Sequence, residues 1–348
     1  MKDHRRAGMP SPYPAAIARR LVTVPVSWLL FVLAVLLAAP VTVAALVIDL
    51  TLRRRGWPTV RMAVFVVRAL WIEVSSHPLI LWSWLTQPLD RTSWTERNHH
   101  LMHWWVGRLV RGAERVVGVR WRFDIPDELG PGPLLAFCQH VSVVDAVVPV
   151  HILGNQRGWY LRYALTRGLR FDPCLDIVGH RIPNHFVVRG TGGDERELAP
   201  LRTLVSDMDV DEAGVIFPGG GLFTPAGLGR AVEKLTERGS PEAAAARAYR
   251  HVMPPRPGGV NTFLDAAPEA HVLVVGHVGF EPLASIRRLW SVLPLTEPVE
   301  VRVWRYDRSE VPTDGEARMA WLYEKWTVMD DWIDARMQAR AAEAAVPA

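Results

Sequence analysis

The sequence predicts a layered α/β domain preceded by an N-terminal helical segment that anchors it to a membrane. Three observations carry this expectation. Two long apolar stretches occupy the first 85 residues, the composition turns globular after Thr92, and short apolar strand-like runs then alternate with helical periodicities.

The first apolar stretch, Leu21 to Leu50, carries no charge before Asp49 and exceeds the roughly 20 residues that a helix needs to cross a bilayer. Pro25 and Pro40 interrupt it, and basic residues on both sides leave its orientation open. The run is long and begins late, a poor fit to a cleavable signal peptide, for which only the Ala38-Ala39-Pro40 stretch speaks. The second stretch, Met62 to Leu85, mixes Arg68, Glu73 and His77 with tryptophans, which suits a tilted, half-inserted amphipathic helix. Together they form a helix hairpin, or one span plus an interfacial helix.

Past Thr92, Asn98 to Arg115 has helical spacing and Val116 to Phe123 alternates like a strand. Pro131-Gly132-Pro133 makes a turn into the buried-looking strand Leu134 to Cys138. Further strands are expected at Gly214 to Phe217, His271 to Val278 and Val299 to Tyr306, with helices around Leu198 to Met208 and Arg230 to Arg238. Near the C terminus, Met319, Leu322, Trp326, Met329, Ile333 and Met337 recur at spacings of three and four, the stripe of an amphipathic helix whose expected role is packing.

Composition narrows the class. The 348 residues are 49% hydrophobic and 22% charged, and the mean hydropathy of +0.07 is apolar for a soluble enzyme. Fifteen tryptophans suit a bilayer interface, where an indole combines an apolar body with one N–H donor. The net charge of +4 and pI near 9.3 favour anionic surfaces. Arg5, Arg6, Arg19 and Arg20 precede the first apolar run and Arg53, Arg54 and Arg55 follow it, as in segments held at an anionic leaflet. With no recognition helix, zinc finger or aromatic RNA-binding signature, nucleic acid is not an expected partner. Two cysteines, Cys138 and Cys174, argue against a disulfide framework and fit a reduced, cytoplasmic compartment.

Two local features bear on chemistry. In Cys138-Gln139-His140-Val141-Ser142-Val143-Val144-Asp145, an imidazole follows a buried strand and a carboxylate comes five residues later. On one continuous helix these side chains would point about 140° apart. With His140 on the strand-to-helix turn and Asp145 in the first helical turn, the carboxylate reaches back to the ring, fixes its tautomer and leaves the other nitrogen as a base. The second feature is the strand Val215-Ile216-Phe217 entering Pro218-Gly219-Gly220-Gly221-Leu222-Phe223-Thr224-Pro225. Three consecutive glycines bring backbone N–H groups close to an oxyanion or phosphate, or simply build a turn. The segment matches neither a nucleotide P-loop nor a dinucleotide fingerprint.

In this order, the two features resemble the glycerolipid (1-acylglycerol-3-phosphate type) acyltransferase superfamily, whose first motif is His, four residues, Asp and whose third is Phe-Pro-Glu-Gly-Thr-Arg. Phe186-Val187-Val188-Arg189 looks like the second motif, an apolar strand ending in an arginine that faces the acceptor lipid, and Val272-Leu273-Val274-Val275-Gly276 looks like the fourth. Phe223-Thr224-Pro225, His251 to Arg256, Pro312-Thr313-Asp314 and Trp321 to Trp326 resemble the lysocardiolipin and lysophosphatidylinositol acyltransferase branch. The resemblance covers most of the chain after about residue 45.

That resemblance implies a mixed sheet flanked by helices. It also implies three regions: a membrane-anchoring segment (1–91), an α/β acyltransferase domain (92–310) and a C-terminal amphipathic helix with its tail (311–348). The implied reaction moves an acyl group from acyl-CoA, or an acyl-carrier protein, to a lysophospholipid hydroxyl, with His140 as general base and Asp145 orienting it. It requires no metal or other cofactor, and acyl-CoA enters as co-substrate. Arg189, Phe217, Pro218, Gly219, Gly220, Gly221 and Arg256 would bind substrate, at the cytoplasmic side of an anionic membrane surface. The chain departs from the pattern where Gly219 and Leu222 replace the motif-three Glu and Arg, and where Gln139 replaces the usual Asn. Losing that Arg removes a bidentate phosphate donor. Backbone N–H groups with Arg189 or Arg256 are the substitutes, unless the acceptor carries a sugar or amino-acid headgroup.

Other readings compete. A hydrolase would need a serine nucleophile; no Gly-x-Ser-x-Gly elbow is present, although Ser142 lies inside the first motif. A non-catalytic lipid binder on the same fold fits the degenerate third motif. His99 and His103, four apart with His100 between them, have the spacing of a metal pair but no acidic or cysteine partner in sequence. His180 and His185 flank a proline turn, as loop residues or as part of an acceptor cleft.

Overall fold

A computed structural model describes residues 13–89, 92–188 and 195–345. Arg5, Arg6 and Arg189 lie outside the described residues. The chain is mixed α/β and folds as two compact units. The first comprises Met1–Arg120, Val147–Val187 and Ser285–Pro298; the second comprises Trp121–Ala146, Val188–Ala284 and Val299–Ala348.

The first unit starts with helices α1 (Tyr13–Leu36) and α2 (Ala38–Thr51), followed by α3 (Pro58–Leu85) and α4 (Trp94–Gly112). Pro40, not Pro25, separates α1 from α2. Pro40 has no N–H for the carbonyl of Leu36 four residues back, and the ladder breaks there while Leu37 N–H still reaches Leu33 and Val41 N–H reaches Leu37. Residues Ala15–Leu36 and Pro58–Leu85 are each long and apolar enough to cross a bilayer.

Asp49, the first charge in the apolar run, has a local purpose. Its buried carboxylate accepts the backbone N–H groups of Thr59 (3.0 Å) and Val60 (3.2 Å) and the Thr59 hydroxyl (2.7 Å). It thereby caps α3, whose preceding residue, Trp57, is left-handed at φ 58° and gives no side-chain cap. Asp49→Ala should cost about 1–2 kcal/mol, read as a lower unfolding temperature in detergent.

The polar residues of α3 turn toward protein. Glu73, only 8% exposed, accepts the Trp105 indole N–H at 3.2 Å and the Cys174 backbone N–H at 3.0 Å. Arg19 and Arg20, expected to face a leaflet, pair instead with buried Asp176 at 2.5 and 2.9 Å. Arg54 donates to the Trp290 carbonyl and lies 4.3 Å over its ring. Part of the flanking basic charge is therefore spent on internal pairing.

The strand expected from Val116 begins only at Trp121, because the helical winding of α4 runs on through Ala113–Val117 and stops at Gly118. Gly118 sits at φ +89°, the left-handed geometry with which a glycine ends a helix. Two short parallel strands complete this unit, β3 (Tyr160–Thr166) and β4 (His185–Val187), with Leu165 opposite Phe186.

The second unit holds a mixed sheet of β1 (Trp121–Asp124), β2 (Leu134–Cys138), β5 (Glu212–Ile216), β6 (His271–Val278) and β7 (Val299–Tyr306), in the order β1-β7-β6-β2-β5. β2 runs parallel to both neighbours, and only the β6–β7 pair is antiparallel. All five β2 residues are buried, which is why this strand reads as an unbroken apolar run. Helix Gly315–Ala345 packs on β6, with Leu322, Trp326, Met329 and Ile333 almost wholly buried and Met337 36% exposed. Gly276 allows that approach, since a Cβ there would lie 2.8 Å from Met329 Cγ. Helix Pro257–Ala266 packs against β5 and against helix Glu195–Val205.

Candidate active site

Because β5, β2 and β6 are parallel neighbours in register, their carboxyl ends finish side by side, with Phe137 opposite Ile216 and Cys138 opposite Val275. Such ends are where open α/β sheets place ligands. Each strand delivers one component: Gln139 and His140 after β2, the glycine turn after β5, and His277 near the end of β6.

After His140 the chain tightens into a 3-10 turn, Val143–Ala146, that folds Asp145 back beneath the imidazole. Asp145 Oδ2 accepts the backbone N–H groups of Val141 (2.5 Å) and Ser142 (2.7 Å) and lies 3.2 Å from His140 Nδ1. The carboxylate can only accept, so Nδ1 is the donor in this contact and Nε2 is the ring nitrogen left for another group. The imidazole is 19% exposed and the carboxylate 1%, so a partly accessible ring rests on a buried carboxylate. The His140 ring also packs on Phe217, with centroids 4.4 Å apart.

Burial would raise the pKa of Asp145. The close His277 ring, the contact with His140 Nδ1 and the Ser142 N–H outweigh it and bring the value down to about 2. Asp145 is therefore ionised at neutral pH. The same burial, aided by the Asp145 charge, pushes the Cys138 thiol up, so it stays protonated and is no nucleophile.

The glycine turn is tied to the imidazole through the backbone, as Phe223 N–H donates to the His140 carbonyl at 2.7 Å. Gly220 N–H closes the turn onto the Phe217 carbonyl, which removes it from the oxyanion donors expected of the three glycines. The N–H groups of Gly219 and Gly221 have no acceptor among the described residues, and the space around Gly221 is open. Gly220 sits at φ +67°, and a Cβ there would lie 3.0 Å from the Arg256 guanidinium. Arg256 thus lies against the turn, anchored by its own N–H on the Pro218 carbonyl at 3.0 Å. Among the described residues no carboxylate pairs with its exposed guanidinium.

The segment carrying Arg256 is fastened to the C-terminal helix. Asp330 accepts the backbone N–H groups of Arg250 and His251, Trp326 Nε1 donates to the Met253 carbonyl and the Tyr323 hydroxyl to that of Pro255. Gly220→Ala should strain the left-handed turn and displace Arg256, costing about 1–2 kcal/mol by thermal unfolding.

Other residues singled out in the sequence have structural contacts. Ser142 is fully buried and donates to the Leu283 carbonyl. His99 and His103 lie in the first unit around Tyr160, and no group of three potential metal ligands occurs among the described residues. His180 caps helix Pro173–Gly179 and stacks on Phe186, and His185 opens β4; all are in the first unit.

Sequence reasoning missed His277, which is 2% exposed with Nε2 3.5 Å from Asp145 Oδ1. Gln139 helps to hold it, its Oε1 accepting the His277 backbone N–H at 2.9 Å. The available signal was an imidazole inside the otherwise apolar stretch Val272–Val278.

No protein-family profile matches the chain, and no curated protein matches it in sequence. Among solved structures, it resembles the 1-acyl-sn-glycerophosphate (LPA) acyltransferase PlsC from Thermotoga maritima, with a TM-score of 0.46 and 10% identity, covering 77% of this chain and 97% of that one.

Proposed function

We propose that this protein is a membrane-associated acyltransferase that moves a fatty acyl group from acyl-CoA to a hydroxyl of a lysophospholipid. The observation that carries the reading is the His140–Asp145 pair at the ends of parallel strands, with the glycine turn hydrogen-bonded to the carbonyl of His140 itself. His140 Nε2 takes the proton of the acceptor hydroxyl as its oxygen attacks the thioester carbonyl. The tetrahedral intermediate then collapses, the C–S bond breaks, and the imidazolium returns the proton to the departing thiolate. Asp145 stabilises the imidazolium in between, and the Gly219 and Gly221 N–H groups are the candidate oxyanion donors. No acyl-enzyme is needed, which suits a buried Ser142 and a protonated Cys138.

Arg256 takes the place of the missing motif-three arginine and faces the phosphate of the acceptor. Arg256→Ala should raise the KM for a phosphate-bearing acceptor about 10- to 100-fold with kcat nearly unchanged, as befits loss of a charge-assisted hydrogen bond outside the reacting atoms. Helices α1 and α3 would anchor the chain to the bilayer, with acyl-CoA supplied from the cytoplasmic side.

The deciding experiment incubates the purified full chain with radiolabelled acyl-CoA and lysophosphatidic acid, lysophosphatidylinositol or lysocardiolipin, the panel to which the branch resemblance points. Labelled acylated lipid is the expected product. Free labelled fatty acid alone would make the protein a hydrolase, and absence of turnover across acceptors would leave a lipid-binding role.

A further inference from the structure

We propose that His277 is a positioning residue of this site, holding the second oxygen of Asp145 so that the first stays aligned on His140. The two oxygens have unequal surroundings. Oδ2 receives two backbone N–H groups and faces the His140 ring. Oδ1 accepts no hydrogen bond among the described residues; His277 Nε2 stands 3.5 Å away, within ion-pair distance. Both side chains are almost completely buried, at 1% and 2% exposure, where a half-solvated carboxylate is costly and a facing N–H dipole or positive charge acts at low dielectric. Neither ring nitrogen of His277 has a hydrogen-bond partner among the described residues, so the polar approach of this ring is the one to Asp145.

The arrangement follows from strand register. Cys138 on β2 is opposite Val275 on β6, and two residues further along each chain stand His140 and His277. Parallel strands thus bring two imidazoles to either side of one carboxylate. Gln139 ties the pair together, with its backbone N–H on the Val275 carbonyl and its side-chain oxygen on the His277 N–H. Edge-on packing against Phe280, with centroids 5.0 Å apart, fixes the His277 ring plane. The charged and titratable groups around the carboxylate are therefore His140 from the loop after β2 and His277 from β6, with the Cys138 thiol close by.

The consequence is electrostatic as well as geometric. While Oδ1 is held by His277, part of the carboxylate charge is shared away from His140. Removing that partner leaves the charge to His140 alone, which retains its proton to higher pH and is a less well aligned base. The kinetic arm of the test rests on the acyl-transfer reading, whereas a second arm needs no turnover.

The test compares His277→Met, which removes the donor at similar size, with His277→Gln, whose amide reaches about as far as Nε2, and His277→Asn, which stops one bond short. In the kinetic arm, Met and Asn should lower kcat about 10- to 100-fold with KM within about twofold of wild type, and move the acidic limb of the pH–rate profile upward. Gln should restore most of kcat and the wild-type limb. In the second arm, carbethoxylation at His140 by diethyl pyrocarbonate, followed against pH by peptide mass spectrometry, reads the unprotonated imidazole directly. Its midpoint should rise in Met and Asn and stay in Gln.

An unchanged midpoint in Asn overturns the role of His277 even if the wild type is fully active. A wild type without turnover, whose Met and Asn variants still show the raised midpoint, overturns the acyl-transfer reading and leaves the His277 coupling standing. If Met alone unfolds, Asn against Gln decides. Equal losses in all three variants, with unaltered pH dependence, would make His277 a packing residue and overturn the proposal.

Discussion

His140→Ala should remove acyl transfer, lowering kcat by about 10²- to 10⁴-fold, the usual worth of a general base, while the protein stays folded and membrane-bound. The separation of activity from folding follows from the contacts of this residue. The imidazole is partly exposed and touches Phe217, but the group that secures the glycine turn is the His140 backbone carbonyl, which alanine keeps. The turn and Arg256 therefore stay in place, and only the base is lost. The measurement is turnover of labelled acyl-CoA alongside thermal unfolding and vesicle sedimentation. Wild-type turnover in the variant would sink the mechanism, and loss of folding would remove the argument from contacts.

Two substitutions of Asp145 should separate what the carboxylate does for structure from what it does for chemistry. Asp145→Ala strips the acceptor from the N–H groups of Val141 and Ser142, and each orphaned buried donor costs about 1–3 kcal/mol, so a large fall in unfolding temperature is expected. Asp145→Asn retains an oxygen for both N–H groups and for His140 Nδ1, so it should fold. It has no charge to stabilise the imidazolium, and kcat should fall on the order of 100-fold or more. Wild-type kcat in the Asn variant would show that the charge has no part in the reaction.

The same residue sets a pH dependence. Its folded pKa of about 2 lies below the ordinary carboxylate value of 3.8, so its contribution to stability is complete above about pH 4 and disappears as pH falls through 2. The contribution is on the order of 2 kcal/mol. Acid unfolding of wild type against Asp145→Asn should differ in slope within that window and nowhere above it.

How much was legible in the sequence depended on whether a segment made its contacts locally. The strand Leu134–Cys138 was readable because a strand buried on both faces has no polar position, and helix Gly315–Ala345 because one face repeats at helical spacing. β3 was not readable, because Arg162 lies buried in its middle and breaks the apolar pattern. The end of α4 was misplaced for the opposite reason: the valines around Gly118 alternate like a strand, and only the left-handed glycine stops the helix. Asp49 read as the end of a hydrophobic run, since its function as a cap depends on residues ten positions later.

The site divides in the same way. The closeness of His140 to Asp145 was implied by their spacing, since five residues across a strand-to-helix turn leave a carboxylate little choice but to fold back on the ring. His277 and Arg256 come from 137 and 116 residues beyond His140, and what brings them in is the parallel pairing of β2 with β5 and β6 and the fastening of the Arg256 segment to the C-terminal helix. Local spacing constrains a pair of neighbours through the few dihedral angles between them. The partner on the other side of Asp145 was decided by strand register, a property of the folded sheet that no single segment carries.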